Sequence, residues 1–285
     1  MSKPRLKYYL GLSMSGFHRL AYREWGPAEA QRVLVCVHGL TRNGRDFEEV
    51  AAAASQEGWR VICPDVVGRG DSDPLAEPSG YNFPQYLQDM NALLARLDVE
   101  EVDWLGTSMG GIIGMLLAAQ PKSPLRRLIL NDIGAYLPRA ALEEIASQVA
   151  EERIWTDFES ASRDLRQAYE GFGPLAEEEW RRLVERSLVR MADGRWRRNY
   201  DPAIGSSFAG TLSGDVDLWS YWEAVTQPVL VLRGGRSQLL TAETAGEMER
   251  RGPGARILEF PQCGHAPALM QSDQIRPILD WLKKS

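Results

Sequence analysis

Short apolar runs alternate with longer amphipathic ones along most of this chain. Six short runs read as strands: 32–37, 60–63, 102–106, 125–130, 229–232 and 256–260. Each is apolar at nearly every position rather than every second one, as in strands covered on both faces. Such strands alternating with helices predict a mostly parallel sheet flanked by helices, an α/β fold. Ahead of them, 7–12 and 18–25 predict a hairpin about Ser15-Gly16 and bring the sheet to eight strands. Phe83-Pro84 opens a helix whose Tyr86, Met90, Leu93, Leu94 and Leu97 share one stripe. The run after Ser108, GGIIGMLLAAQ, is apolar all round and predicts a buried helix that Pro121 ends. From 136 to about 200 the strand rhythm stops, and at least three helical patterns follow, divided near Trp155 and by 171–174. Strand rhythm returns at Gln227-Pro228. The expected organisation is a core domain from 1–135 and 211–285, with a helical cap at 136–210 inserted into it.

Composition narrows the partners. A chain of 285 residues, 44% hydrophobic and 25% charged, is an ordinary soluble globular protein with a sizeable core. The net charge of −6 and the lack of a basic stripe argue against nucleic acid. The densest basic run, 195–198, is broken by Trp196 and reads as a solvated or lid surface. No apolar segment reaches the length of a membrane span, and the first residues carry no leader pattern. Cys36 and Cys63 lie in strand-like runs and read as buried thiols, and Cys263 as a packing residue of a loop. These features predict a reduced, cytoplasmic protein, a monomer or homodimer acting on a small molecule.

The sharpest chemical signal is Gly106-Thr107-Ser108-Met109-Gly110, between a strand and an apolar helix. A tight strand-to-helix turn strains the serine backbone and exposes its hydroxyl, and small residues at 106 and 110 make room for it. A second signal, Val37-His38-Gly39-Leu40, directly follows the first parallel strand. At this point the chain resembles the α/β-hydrolase superfamily, from the hairpin to the final helix. Its turn at 64–73, PDVVGRGDSD, resembles a fold marker of that family. Gly264-His265-Ala266-Pro267 resembles the loop of the catalytic histidine. The resemblance implies Ser108 as nucleophile, His265 as general base, and an oxyanion hole from the N–H groups of Leu40 and Met109. His38 and Gly39 then border the substrate pocket, with the His38 ring bracing the loop rather than reacting. His18, in the hairpin, reads as a surface residue. Trp155, Phe158, Phe172 and Trp196 of the cap are expected to line an apolar pocket above Ser108.

The acid departs from the family pattern. It commonly follows the penultimate strand, and there the chain has Gln238, which cannot carry the charge that stabilises imidazolium. Asp132, 24 residues beyond Ser108 and after the preceding strand, is the alternative, since one branch of the superfamily places its acid there. Asp132 also has a purely structural reading, as the cap of a turn at the base of the lid. Asp215 and Asp217 fall too early for the loop after the penultimate strand. On this reading the balance tips towards the Gln238 position as the native acid site. Serine at the elbow excludes the branches that use aspartate there. What the resemblance implies is hydrolysis of a carboxylic ester or lactone, with neither cofactor nor metal. Carbon–carbon bond hydrolysis and a catalytically weak ligand-binding member of the fold stay as alternatives.

Overall fold

The computed structural model describes residues 3–149 and 152–284. Strands β1 (Arg5–Ser13) and β2 (Gly16–Trp25) form the expected hairpin, with Ser13 facing Gly16 across a two-residue turn. Gly16 takes φ 114°, a backbone region open to glycine and costly for other residues. The remaining strands of the sheet are β3 (Val33–Val37), β4 (Arg60–Pro64), β5 (Val102–Thr107), β6 (Leu125–Asn131), β7 (Val229–Gly234) and β8 (Arg256–Phe260). Their order is β1-β2-β4-β3-β5-β6-β7-β8. Only the β1–β2 and β2–β4 pairings are antiparallel, so the predicted eight-stranded, mostly parallel sheet is borne out.

The unbroken apolar runs follow from helices on both faces. In β3, Val33, Val35 and Val37 enter one core with α2 (Phe83–Leu97) and α3 (Met109–Ala118). Leu34 and Cys36 enter the opposite core with α1 (Glu48–Gln56) and the last helix (Ser272–Lys283). Cys63 joins that second core. Helix α2 starts where Asn82 accepts the Gln85 N–H at 3.0 Å. It buries Tyr86, Met90, Leu93 and Leu97, while Leu94 is half-buried at the edge of the stripe.

His18 corrects one expectation. It is buried, not at the surface, with Nε2 3.0 Å from Asp89 Oδ1. The reason is that α2 covers one face of the hairpin, and His18 shares that face with Tyr9 and Leu20. Gln85 Nε2 donates to the same carboxylate oxygen at 2.9 Å.

Between β6 and β7 the chain leaves the sheet for α4 (Arg139–Val149), α5 (Phe158–Ala168), α6 (Glu177–Ser187), α7 (Ala203–Thr211) and α8 (Trp219–Ala224). The sequence pattern missed five very short strands here. Ile154–Trp155, Leu188–Arg190 and Trp196–Arg198 make a small sheet, and Tyr136–Leu137 pairs with Val216–Asp217 at the neck. Two or three residues are too few for an alternation of period two to show. This segment is clamped to α1, with buried Arg186 bonding Glu49 at 2.8 Å and Glu48 at 2.9 Å. Asn43 Nδ2 donates to the Arg186 carbonyl at 2.8 Å.

Candidate active site

Ser108 sits between β5 and α3 with φ 51° and ψ −115°, a conformation that L-residues hold only under constraint. The constraint is steric and local. A Cβ on Gly106 would lie 2.2 Å from the Gly110 carbonyl oxygen, and one on Gly110 would lie 2.1 Å from that of Val37. Both positions therefore demand glycine, and the turn can close tightly enough to raise the serine. Its N–H donates to the Asn131 carbonyl at 3.0 Å, which ties the turn to β6.

His265 follows β8. Its Nε2 lies 2.9 Å from Ser108 Oγ, and its Nδ1 lies 2.7 Å from Asp132 Oδ2. Asp132 directly follows β6, with φ 55°, and its side chain is fully buried. Its carboxylate also accepts from the Gly234 N–H at 2.7 Å and from the Ser237 hydroxyl at 2.6 Å. Such donors fix the orientation of the carboxylate beside the ring.

Of the two positions weighed from the sequence, Asp132 is the one that meets the His265 ring. The loop after β7 supplies donors to the carboxylate, through Gly234 and Ser237, while Gln238 is exposed. Because β7 is the sheet neighbour of β6, the loops after both strands meet beside the same ring. Asp215 lies elsewhere, accepting from Tyr136 Oη and the Arg139 N–H.

Leu40 borders the cavity beside Ser108, and Met109 opens α3. Among the described residues neither N–H is donated to another protein group. Two amides beside a nucleophile at a helix N-terminus can stabilise a developing oxyanion. Gly39 lines the cavity, but His38 does not. The His38 ring is fully buried, with Nδ1 2.7 Å from the Gly39 carbonyl oxygen and Nε2 accepting the Val66 N–H at 2.9 Å. It braces the loop after β3 against the turn after β4, and burial pushes its pKa down to about 3.

That brace sets a pH dependence. In the unfolded chain the ring protonates near pH 6.5, so between there and about 3 the unfolded state binds the extra proton. The contribution is intact above pH 6.5 and is lost as pH falls, by at most about 1.4 kcal/mol per unit. Urea unfolding between pH 6.5 and 4 should show this acid limb, and His38→Gln should flatten it. Equal slopes in both proteins would disprove a neutral buried brace.

The cavity over Ser108 has a volume of about 110 Å³. Of the four cap aromatics, only Phe172 lines it. Trp155, Phe158 and Trp196 instead pack the inserted segment's own core, where Phe158 meets Trp196 edge-on at 5.5 Å. Trp155 Nε1 donates to Asp164 at 2.8 Å. A segment this size needs large apolar side chains for itself, which leaves few to spare for the cavity. Tyr169, absent from the sequence expectations, stacks on Phe172 at 5.0 Å and lines the cavity with it. Arg198, expected on a solvated or lid surface, is also a lining residue. The 3₁₀ turn carrying Phe172 reaches the histidine loop, where the Gly264 N–H donates to the Gly171 carbonyl at 2.6 Å.

Comparison with known proteins agrees with this architecture. A family model for the alpha/beta hydrolase fold matches residues 32–269. The chain is 45% identical over 282 residues to the 3-hydroxybutyrate-oligomer hydrolase of Cupriavidus necator, covering 96% of each. The crystal structure of a Rickettsia typhi protein superposes with a TM-score of 0.92 at 35% identity, over 100% of both chains. An alpha/beta hydrolase of Novosphingobium aromaticivorans gives 0.88 at 35% identity, again over 100% of both chains. The chain belongs to the α/β-hydrolase family.

Proposed function

We propose that this chain hydrolyses carboxylic esters, oligomers of 3-hydroxybutyrate among them, through an acyl-enzyme on Ser108. The observation that carries the reading is the unbroken path from Ser108 Oγ through His265 to the buried Asp132 carboxylate. Ser108 Oγ attacks the ester carbonyl as His265 Nε2 takes its proton, and the Asp132 carboxylate stabilises the resulting imidazolium. The N–H groups of Leu40 and Met109 receive the charge on the carbonyl oxygen. Collapse of the tetrahedral intermediate breaks the ester bond, and His265 returns the proton to the leaving alcohol. Water then adds to the acyl-enzyme by the same route, releasing the acid and restoring Ser108. Residues 136–210 act as the cap, contributing Ile145, Val149, Tyr169 and Phe172 to the pocket.

The pocket also favours an acidic substrate end. Among the described lining residues are two arginines and no carboxylate. Arg42 is committed to Asp46 by two bonds, at 2.8 and 2.6 Å. Arg198 also lines the cavity, donating to the Gln148 carbonyl at 3.0 Å and to Tyr200 Oη at 3.1 Å, and its positive charge there would attract a terminal carboxylate. An oligomer of a hydroxy acid ends in such a group.

The test uses the 3-hydroxybutyrate dimer as free acid and as methyl ester. Both should be hydrolysed. Arg198→Ala should raise KM for the free acid by roughly tenfold or more, the scale of a charge-assisted hydrogen bond, and leave the methyl ester nearly unchanged. Turnover of neither compound would sink the function. Equal KM changes on both would remove only the role given to Arg198.

A further inference from the structure

Strand β1 is the edge of the eight-stranded sheet, and its outer side carries no strand among the described residues. Its odd positions face α2: Tyr9 is buried there, and a Cβ on Gly11 would touch Asp89 and His18 at 2.4 Å. Its even positions form an outward stripe, with Leu6 46%, Tyr8 39%, Leu10 63% and Leu12 45% exposed. Phe17, directly across from Leu12 on β2, is 75% exposed and extends the stripe. A long apolar edge strand is the feature that soluble proteins normally suppress with short length, charge or proline.

The charges around the stripe do not guard it. Arg5 and Lys7 point to the other face and are both paired with Glu24. Arg23 is paired with Asp65 and Asp71. Arg19 lies with its guanidinium 4.5 Å over the Tyr8 ring, so its stem extends the apolar surface.

From this edge we infer that β1 pairs antiparallel with β1 of a second copy of the chain, about a two-fold axis at Tyr9. This is the two-fold register in which all nine residues of the strand find a partner. It sets Leu6 opposite Leu12 of the other copy, and Tyr8 opposite Leu10, so the two stripes join into one face. It sets Arg5 opposite Ser13 and Lys7 opposite Gly11, so no like charges meet. One residue of slip would set unlike faces together. The pairing satisfies the outward backbone groups of both edges and sets the facing flanks of Leu6, Tyr8, Leu10 and Leu12 against their counterparts, while Phe17, on β2, lies one strand back from the seam. The contact is isologous and closes on itself, leaving a sixteen-stranded sheet without an exposed β1 edge.

Sedimentation velocity of the full chain at tens of micromolar should give twice the chain mass. Leu10→Lys combined with Leu12→Lys should give a folded monomer with the far-ultraviolet circular dichroism and ester turnover of the parent, since both side chains are exposed in the single chain and lie outside the cavity over Ser108. Tyr8→Cys combined with Leu10→Cys should yield a covalent dimer that dithiothreitol dissolves, because those two positions face each other across the axis. A monomeric parent protein would overturn the inference. So would a lysine variant that stays dimeric, since the interface would then lie elsewhere. A parent protein that is monomeric yet sediments with phosphatidylglycerol vesicles, when the lysine variant does not, would assign the stripe to a lipid surface instead.

Discussion

Ser108→Ala is expected to remove ester turnover almost completely, by a factor on the order of 10⁶ in kcat, the scale seen when a triad nucleophile is lost. The alanine leaves the fold alone. The strained backbone at 108 is imposed by Gly106 and Gly110, and the Oγ contact given by the structure is the one to His265. Unfolding temperature should therefore stay within a degree or two of the parent. A small residual rate should survive, because the amides of Leu40 and Met109 still stabilise an oxyanion formed by direct attack of water. A fluorophosphonate probe should label the parent protein at Ser108 and not the variant. A variant that keeps most of its turnover, or a parent that resists the probe, would end the acyl-enzyme reading.

The second large effect concerns the acid. Asp132→Asn should lower kcat by about 10⁴ with little change in KM, as when an amide replaces the acid of a triad. The carboxylate accepts from His265, Ser237 and the Gly234 N–H at once. An asparagine offers one acceptor oxygen in its place and turns an NH₂ towards one of these donors. The imidazole loses both its tautomer and the charge that stabilises its protonated form. The unpaired donor should also cost about 1–3 kcal/mol of stability, which a urea titration will separate from the catalytic loss. Gln238→Asp should leave turnover within a few fold, since position 238 is exposed and the carboxylate site beside His265 is already filled. An increase of orders of magnitude with Gln238→Asp, or an active Asp132→Asn protein, would reverse the assignment.

How much of this was legible beforehand divides by the range of the interaction involved. The strained turn at Ser108 could be read directly because its requirements are local. A strand, a strained residue and two glycines where no Cβ fits lie within five positions, 106–110. The sheet could be read because helices cover both faces of its parallel strands, so each reads as an unbroken apolar run. His265 needed only its place after the last strand.

The acid could not be settled this way. Asp132 and Gln238 are 106 residues apart, and both follow strands that end under the histidine. Which one reaches the ring depends on β6 and β7 being sheet neighbours, and on Gly234 and Ser237 turning their donors inward. His18 was misplaced for a related reason, since its burial comes from α2 lying across the hairpin, a contact 71 residues away along the chain. Three of the four aromatics expected at the cavity lie elsewhere because apolar character says that a side chain will be covered, not by what. Trp155, Phe158 and Trp196 cover one another, while Phe172 and Tyr169 are delivered to the cavity by the 3₁₀ turn that meets the histidine loop. The sequence by itself determined the sheet, the strained turn at Ser108 and the loop of His265, because each depends on neighbours in the chain. Only the tertiary structure decided which carboxylate meets the His265 ring, the lining of the cavity and the place of Arg198, because each depends on which distant segments the sheet order and the helices between β6 and β7 bring together.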